Sequence, residues 1–341
     1  MKKSAVFGKY LLLVPLIIAV FGGIYWFFLK QPEKYTGPVE KVTLGVESSL
    51  LPAAVWIAEG KDYFQEEGLD LTIKEYDSGR LSLLAMLEGN KGINISAAAP
   101  TPIMFNGFKN QDFSIFATFA YAYEDIKVIA RKDKGITTAA DLKGKKIGTP
   151  MGTTGQFFTE TFLIYNAVSP EDVELVDVAP SNLPSALNKG EVEAIVIWEP
   201  HGSSARELLG NKAIRLPSSE VYKTTFNFLV MNDFAEEYPE VLIKFLKAID
   251  RATTFIGKNK EDSQAIVARR LKLEKEAVAL HWDEFAFEVS LNQSLLTGLE
   301  DEARWAIKNN LTSATKVPNY LNFIYLDALE AVRPEVVTII R

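Results

Sequence analysis

The chain has 341 residues, of which 48% are hydrophobic, so it is long enough for two ordinary domains with sizeable cores. Its formal net charge of −7 disfavours nucleic acid as a partner, because binding to a phosphate backbone needs a clustered positive surface. Cysteine is absent and only two histidines occur, which excludes disulfides and thiolate chemistry and leaves few ways to form a metal site or a Ser-His-Asp triad. We therefore expect no metal and no other cofactor.

The N-terminal region contains an uncharged run of twenty residues, Tyr10–Leu29, with the sequence YLLLVPLIIAVFGGIYWFFL. As a helix at about 1.5 Å per residue it covers about 30 Å, the thickness of one bilayer core. Lys2, Lys3 and Lys9 before the run predict a cytoplasmic N-terminus and an extracytoplasmic remainder. A cleaved signal peptide is the alternative, but its apolar region is shorter and ends at a small-x-small cleavage site, which this sequence lacks. We predict an uncleaved membrane anchor, which with its linker occupies residues 1–38.

The remainder begins with alternating predicted strands and helices. Lys41–Val46 and Leu69–Asp77 are predicted strands, separated by a helical segment that ends at Gly68. A helix that opens at Ser78 follows, and then a buried strand in the stretch INISAAAPTP. This alternation predicts a parallel sheet covered by helices, with ligands bound outside the carboxyl ends of the strands.

The same alternation restarts further along the chain, which predicts a second α/β unit. The apolar stretch Phe113–Asp133 is too long for one ordinary strand, so we expect it to cross from one lobe to the other. Thr224–Phe234 is the predicted return strand, and the pattern from Tyr238 to Asn310 is almost wholly helical. The expected domains are 39–125 plus 228–341 for lobe 1 and 126–227 for lobe 2.

Three loops that follow predicted strands consist of small or hydrogen-bonding residues, and all three can line one cleft. They are Glu47–Ser49, Ala97–Thr101 and Met151–Gln156. In the third loop, Thr153 or Thr154 can cap the following helix, whose free N–H groups and dipole suit an anion or an acceptor-rich ligand. Ordinary helix capping is the alternative. A phosphate loop is excluded because no Lys-Ser/Thr pair follows the glycines.

Two further groups of residues are candidates for ligand contact. Ser78, Gly79 and Arg80 form a helix start whose arginine can neutralise an anion, although a solvated arginine explains the same pattern. Trp198 and Glu199 stand at the end of a buried strand. The tryptophan suits either a pocket wall or the core, and the glutamate either accepts a hydrogen bond from the ligand or pairs across a hinge. His201 has no evident serine and carboxylate partners, so a structural or ligand-contacting role is favoured over catalysis.

Several of these stretches together resemble the periplasmic binding proteins of the nitrate, sulfonate and taurine type, a group that also includes thiamine-pyrimidine binders. The resemblance covers about Lys41 to Ile256 and is most specific in "DLKGKKIG" followed by "LNKGEVEAIVIWEP". It implies an α/β, two-lobed periplasmic-binding-protein type II fold, here with an N-terminal transmembrane helix. It also implies that the protein hands a small-molecule solute to the permease subunits of an ABC importer and performs no reaction. Two departures are His201, where an aromatic residue is common, and a membrane anchor in place of a lipidated cysteine.

The resemblance places the ligand loops on specific positions of this sequence. Together with Arg80, which the helix-start argument adds, the expected ligand-binding residues are Ser48, Ser49, Ser78, Gly79, Arg80, Ala99, Pro100, Thr101, Thr153, Thr154, Gly155, Gln156, Trp198 and Glu199.

Three functions fit parts of this pattern. The favoured hypothesis is an extracytoplasmic solute-binding protein, tethered through residues 10–29, that captures a sulfonate-, taurine- or nitrate-like solute. An enzyme of thiamine-pyrimidine or menaquinone-type biosynthesis on the same fold is the alternative, and its reactive groups would be limited to Glu47, Glu199 and His201. A sensor input module is disfavoured because only nine residues precede the apolar run.

Overall fold

The computed structural model describes residues 35–89, 91–109, 112–218 and 222–341. The predicted membrane helix at Tyr10–Leu29 lies outside these residues. No helix within the described ranges has the length and apolar content needed to span a bilayer.

The described strands form two sheets. In chain order they are β1 (Glu40–Glu47), β2 (Leu69–Tyr76), β3 (Ile95–Ala98), β4 (Phe113–Ala122), β5 (Lys127–Arg131), β6 (Lys146–Thr149), β7 (Glu174–Asp177), β8 (Ala194–Ile197), β9 (Ala213–Leu216), β10 (Thr224–Met231) and β11 (Phe285–Ala286). The first sheet has the order β11-β4-β10-β3-β1-β2, and the second has the order β7-β6-β8-β5-β9. Each sheet is the centre of one lobe.

Helices cover both sheets. In chain order they are α1 (Ala53–Gly60), α2 (Tyr63–Glu66), α3 (Gly79–Leu87), α4 (Pro100–Gly107), α5 (Thr154–Tyr165), α6 (Leu183–Lys189), α7 (His201–Leu209), α8 (Asn232–Glu237), α9 (Pro239–Lys258), α10 (Lys260–Leu271), α11 (Lys275–Trp282), α12 (Gln293–Lys308) and α13 (Asp327–Val332).

The two sheets are mixed, whereas the sequence predicted parallel ones. The parallel prediction is correct for β2-β1-β3 and for β7-β6-β8, where strands alternate with helices. It is wrong for the strands that connect the lobes. β10 runs antiparallel to β3 and β4, and β5 runs antiparallel to β8 and β9. The reversed strands are β5 and β10, by which the chain enters one lobe from the other, and each runs opposite to the strands built by local strand-helix-strand units.

The long apolar stretch crosses between the lobes as predicted, with β4 in the first sheet and β5 in the second. Both strands are buried along almost their whole length, which explains their continuous apolar sequence. The chain returns through β10, and Thr224 already pairs with Ala122 in the first sheet. The domain boundaries at 125/126 and 227/228 stay a proposal.

The largest hydrophobic core lies in lobe 1, where the C-terminal helices pack on the first sheet as predicted. Phe245 of α9 packs edge-on against Phe228 of β10, with ring centroids 4.9 Å apart. In lobe 2 the core is divided between the two faces of the second sheet. Consecutive residues of β5, Val128 and Ile129, belong to different clusters because alternate side chains of a strand point to opposite faces.

Candidate functional site

A cleft lies between the lobes at the carboxyl ends of strands from both sheets. About 370 Å³ of space there is not filled by protein atoms, and part of that space is open to solvent. Its lining residues are Glu47, Ser78, Gly79, Arg80, Ala99, Pro102, Asp125, Ile126, Thr153, Thr154, Trp198, Thr224 and Phe226. A second cavity of about 220 Å³ shares Glu47, Gly79, Ala99 and Phe226 with it.

Half of the predicted site residues meet in this cleft. Those that line it are Ser78, Gly79, Arg80, Ala99, Thr153, Thr154 and Trp198. The remaining predicted residues do not line the cleft: Ser48, Ser49, Pro100, Thr101, Gly155, Gln156 and Glu199. Ligand contact by any of these residues stays a prediction.

Several of the non-lining residues support the lining ones. Ser49 is buried, and its hydroxyl donates a 2.8 Å hydrogen bond to Glu47 Oε1. Gln156 Oε1 accepts from the backbone N–H of Gly152 at 2.9 Å. These contacts fix the shape of the cleft loops without facing its empty space.

The loop before α5 folds as a capped helix start. Thr153 Oγ1 accepts from the N–H of Gly155 at 3.1 Å, and its hydroxyl donates to the carbonyl of Pro150 at 2.6 Å. The N–H of Gln156 also bonds within this turn, to the Thr153 carbonyl. The turn therefore offers fewer free N–H donors to a ligand than the sequence predicted, because the cap itself occupies two of them.

Close approach requires glycine at Gly79, which lines the cleft, and at Gly152, which directly precedes the lining residue Thr153. A Cβ on Gly79 would lie 3.0 Å from the Ala97 carbonyl oxygen, so the start of α3 can approach β3 only without a side chain. Gly152 has a φ of +70°, and a Cβ there would lie 3.0 Å from Arg80 Nε. Gly152 thus brings lobe 2 against the arginine of lobe 1. Arg80 is otherwise largely exposed.

Glu47 places a carboxylate on the lobe 1 wall at the end of β1. Its Oε2 accepts from the N–H of Gly79 at 3.2 Å, and its Oε1 accepts from Ser49. Burial raises the pKa of Glu47 to about 7, and the charge of Asp77 also raises it, although the two hydrogen bonds lower it. Glu47 lies in the first of the three loops that the sequence predicted to line the cleft, and its side chain had a predicted role only in the enzyme alternative.

Asp125 is a lining residue that sequence reasoning missed. It lies in the segment that joins β4 to β5, and only 5% of it is exposed. Burial raises its pKa well above the ordinary range, the charge of Glu47 raises it further, and Lys127 lowers it. The available signal was the polar interruption "EDIK" within a long apolar stretch, at the point where the chain changes lobe.

The rest of the cleft wall is largely apolar. Trp198 is 7% exposed and packs with the core of lobe 2 while it also lines the cleft, so it fits both of the roles considered for it. Phe226, Ile126 and Pro102 complete this wall. Phe226 was missed because it lies on the return strand, whose approach to the cleft depends on the pairing of β10 with β3.

A network of charged and polar residues adjoins the cleft at the crossover between the lobes. We call Lys127, Glu199, Ser203, His281 and Glu284 the hinge network. Lys127 Nζ lies 2.6 Å from Glu284 Oε2, and the Glu284 carboxylate also lies 3.0 Å from His281 Nδ1. Glu199 accepts from the N–H of Ser203 at 2.9 Å and lies 3.7 Å from His281 Nε2. Glu199 therefore pairs with other groups of the protein, which is one of the two roles considered for it.

Burial would raise the pKa of Glu284, but hydrogen bonds from His281 and Lys127 outweigh burial and lower it. His201, by contrast, is half-buried beside the cleft. Burial lowers its pKa, against the charges of Asp77 and Glu199. Within the described ranges, no cluster of three or more histidine, aspartate and glutamate side chains has the arrangement needed to hold a metal ion.

A second contact between the lobes is mainly aromatic. We call Phe157, Glu160, Tyr222, Glu302 and Trp305 the aromatic contact. The ring of Phe157 on α5 packs edge-on against Trp305 of α12 and against Tyr222, each at 5.1 Å between centroids. Trp305 Nε1 donates to Glu160 Oε2 at 2.8 Å, and Tyr222 donates to Glu302, which is fully buried.

The comparisons with known proteins agree with this geometry. The chain is 25% identical over 243 residues, which are 70% of this chain and 72% of the relative, to a candidate aliphatic sulfonates-binding protein of Bacillus subtilis. It is 24% identical over 221 residues, 63% of this chain and 67% of the relative, to the taurine-binding periplasmic protein of Escherichia coli.

A solved structure shows the same fold. The alkanesulfonate-binding protein SsuA from Xanthomonas axonopodis pv. citri, bound to MOPS, has a TM-score of 0.75 with 18% sequence identity. The alignment covers 85% of this chain and all of that one. This likeness confirms the predicted two-lobed α/β fold of the periplasmic binding proteins.

A family profile described as NMT1/THI5 like matches residues 52–263, which is more than half of the sequence. The matched range runs from α1 to α10 and contains every residue that lines the cleft except Glu47. The chain therefore belongs to the NMT1/THI5-like family, and the resemblance predicted from its sequence is confirmed.

Proposed function

We propose that this protein is the extracytoplasmic substrate-binding component of an ABC importer, and that it captures a small anionic or polar organic solute in the cleft between its lobes. The observation that carries the proposal is the cleft itself, because residues at the carboxyl ends of β1, β2 and β3 of one lobe face residues at the carboxyl ends of β6 and β8 of the other. Ligands of open α/β sheets bind at such strand ends.

Contacts across the cleft support a closing motion. The hydroxyl of Thr101 donates to Thr154 Oγ1 at 3.3 Å, and that of Ser181 donates to Asp77 Oδ2 at 2.9 Å. Each pair joins lobe 1 to lobe 2. Among the described strands, the chain passes from the first sheet to the second between β4 and β5 and returns between β9 and β10. Rotation about those segments would open the cleft to solvent and close it around a solute.

The named relatives support the wider role. A taurine-binding periplasmic protein and a candidate aliphatic sulfonates-binding protein are both similar to this chain over most of its length. We extend their class to this protein and place its partners in the transmembrane subunits of an importer. Tethering through residues 10–29 belongs to the same proposal.

The function is tested by a thermal-shift screen of the full-length protein. The probes are nitrate, bicarbonate, alkanesulfonates, pyrimidines and amino-acid-like anions. A bound solute stabilises the folded state by mass action, so a solute at 100 times its dissociation constant should add about 2.7 kcal/mol. Turnover of a probe, with no stabilisation by any of them, would contradict the binding role.

A variant locates the binding event in the cleft. Thr154→Leu should abolish binding because the added side chain occupies the cleft, while the folded state keeps its cooperative unfolding. Thr161→Leu is the matched control, since Thr161 lies on the same helix and outside the cleft lining. Unchanged affinity in Thr154→Leu would remove this residue from the site.

One observation favours an enzyme as the second candidate. The pKa of Glu47, raised to about 7, suits a general base at neutral pH. A biosynthetic reaction on this fold would need that carboxylate within hydrogen-bond distance of a substrate proton. Product formation that is lost in Glu47→Gln would support this candidate over transport.

A further inference from the structure

We propose that Asp125 is a neutral carboxylic acid in the cleft, and that its O–H donates a hydrogen bond to an oxygen of an anionic solute. The cleft then binds the anion while Asp125 holds its proton, and releases the anion when that proton is lost. This inference rests on the proposed function, because it names the chemistry and the pH dependence of capture in the same cleft.

Asp125 is a buried carboxyl group without a partner in the described part of the chain. It lines the cleft, only 5% of it is exposed, and no hydrogen bond joins its side chain to another described residue. An ionised carboxylate buried without a donor is strongly unfavourable, and such a group takes up a proton instead. The neutral acid has one O–H donor, for which an oxygen of the solute is the missing acceptor.

The charges around Asp125 also favour its neutral form. The carboxyl groups of Glu47, Glu199 and Glu284 all act on it, against the single ammonium group of Lys127. Lys127 is already paired with Glu284, with 2.6 Å between Nζ and Oε2. Four negative charges beside one positive charge repel strongly in a poorly solvated site, so at least one of these carboxyl groups holds a proton.

The other three carboxyl groups each receive a donor from the protein, and Asp125 does not. The donors are Lys127 and His281 for Glu284, the N–H of Ser203 for Glu199, and Ser49 with the N–H of Gly79 for Glu47. Hydrogen bonds and cations of this kind stabilise the ionised form of a carboxyl group. Asp125 is therefore the member of the four that holds a proton most readily.

The pKa directions agree with this assignment. Burial raises the pKa of Asp125 well above its ordinary range, the charge of Glu47 raises it further, and Lys127 lowers it. Burial also raises the pKa of Glu47 to about 7, in spite of its two hydrogen bonds. Near neutral pH this end of the cleft therefore carries less negative charge than its number of carboxyl groups suggests.

Two other groups of the cleft suit an anion once Asp125 is neutral. Arg80 lines the cleft and forms no ion pair with a described carboxylate. The hydroxyl of Thr154 accepts from Thr101 at 3.3 Å, so its own proton is available to a solute. A cation and a second O–H donor thus accompany the acid, one on each lobe.

The remaining titratable groups near the cleft do not reverse the expected pH dependence. Burial lowers the pKa of His201 from 6.5, so this side chain is neutral at pH 7 and above. Asp77 accepts from Ser181 at the mouth of the cleft, and its charge acts on Glu47. No group gains positive charge as the pH rises, so the affinity for an anion should fall in that direction.

The test measures anion binding to the full-length protein by isothermal titration calorimetry between about pH 6 and about pH 9. The probes are ethanesulfonate and nitrate, because neither changes its charge in this range. We expect the dissociation constant of at least one of them to be at least tenfold higher at pH 9 than at pH 6. At pH 9 the donor on Asp125 is lost and a negative charge replaces it.

Two variants of nearly equal size separate hydrogen bonding by Asp125 from its charge. Asp125→Asn keeps an N–H donor and cannot ionise, so the ratio of dissociation constants between pH 9 and pH 6 should fall below threefold. Asp125→Leu cannot ionise either but has no donor, and should bind the anion at least tenfold more weakly than Asp125→Asn at both pH values. Thermal unfolding confirms that both variants fold. Equal affinities in the two variants would show that Asp125 donates no hydrogen bond.

Two further variants assign the proton. Glu47→Gln should remove the part of the profile centred near pH 7 and keep the part that belongs to Asp125. Loss of the whole profile in Glu47→Gln would place the proton on Glu47 and overturn the assignment. Asp172→Asn is the control and should keep the full profile, since Asp172 pairs with Lys143 on an exposed surface of lobe 2.

The sign of the pH dependence decides the inference. Affinity that is constant, or that increases with pH, would mean that the solute does not accept a proton-bearing donor from Asp125. If neither anion binds while another solute of the thermal-shift screen does, the inference is wrong and the proposed function stands. If no solute binds in either experiment, the proposed function fails and the inference fails with it.

Discussion

The hinge network and the aromatic contact join the same two lobes by different physical means. In the hinge network, Lys127 is 1% exposed and holds Glu284 at 2.6 Å, so the junction depends on compensated buried charge. In the aromatic contact, ring packing around Phe157 is combined with single hydrogen bonds to Glu160 and Glu302. Separating buried charges is much more costly than separating rings. The hinge network should therefore be the costlier of the two contacts to break.

The largest effect is expected from Lys127→Met, which keeps the apolar stem and removes the charge. Glu284 would then lose its cation in a poorly solvated site, and the free energy of unfolding should fall by about 3–5 kcal/mol. Urea denaturation measures the change. Lys143→Met is the control, because the Lys143–Asp172 pair is exposed and should be worth at most about 1 kcal/mol. Equal effects in the two variants would refute the special role of the hinge network.

The aromatic contact should show its own pH dependence through Glu302. Burial raises the pKa of Glu302 from 4.5 to about 7, although interactions with the hydroxyls of Tyr222 and Thr101 lower it. Because the folded state binds this proton more tightly than the unfolded state, the stabilisation is complete below about pH 4.5 and is lost as the pH rises to about 7.

Glu302→Gln isolates that contribution. The variant should be more stable than the unmodified protein by about 1–3 kcal/mol at pH 8 and nearly equal to it at pH 5. Thermal and urea unfolding at both pH values measure the difference in stability between the variant and the unmodified protein. The pH-dependent contribution of Glu47 is the same in both proteins and cancels in this difference. A constant difference across this range would show that Glu302 does not titrate as described.

Trp305→Phe removes the hydrogen-bond donor of the aromatic contact and leaves a smaller aromatic ring in its place. Glu160 would lose the donor at 2.8 Å, which should lower the free energy of unfolding by about 1–2 kcal/mol. A double-mutant cycle with Glu160→Gln gives the coupling energy of the pair directly. A coupling energy near zero would mean that only the rings hold this contact.

The smallest effect is expected at the mouth of the cleft. Ser181 is exposed, and its hydroxyl donates to Asp77 Oδ2 at 2.9 Å across the lobes. Ser181→Ala should change the free energy of unfolding by at most about 0.5 kcal/mol, because solvent replaces an exposed hydrogen bond. It should nevertheless accelerate ligand release about two- to threefold in stopped-flow measurements. A larger loss of stability would indicate that the mouth, too, holds the lobes together.

Local pattern was sufficient to predict most of the helices and strands. The apolar stripe of α9, with Val241, Phe245 and Ile249 on one face, follows from helical spacing and predicts the face that packs on lobe 1. The small-residue loops after strands likewise predict that Ser78 and Thr153 lie in one cleft. Such signals are visible in the sequence because they depend on neighbours within a few residues.

The sequence by itself therefore determined the order of the elements, the family, and the loops that could face a ligand. Only the tertiary structure decided which side chains reach the cleft. Asp125 and Phe226 arrive there through the antiparallel pairing of strands about 100 residues apart, while Glu199 is drawn into the hinge network by His281. Pairings over that distance leave no local periodicity, and a carboxylate's partners, which set its charge, exist only once the chain has folded.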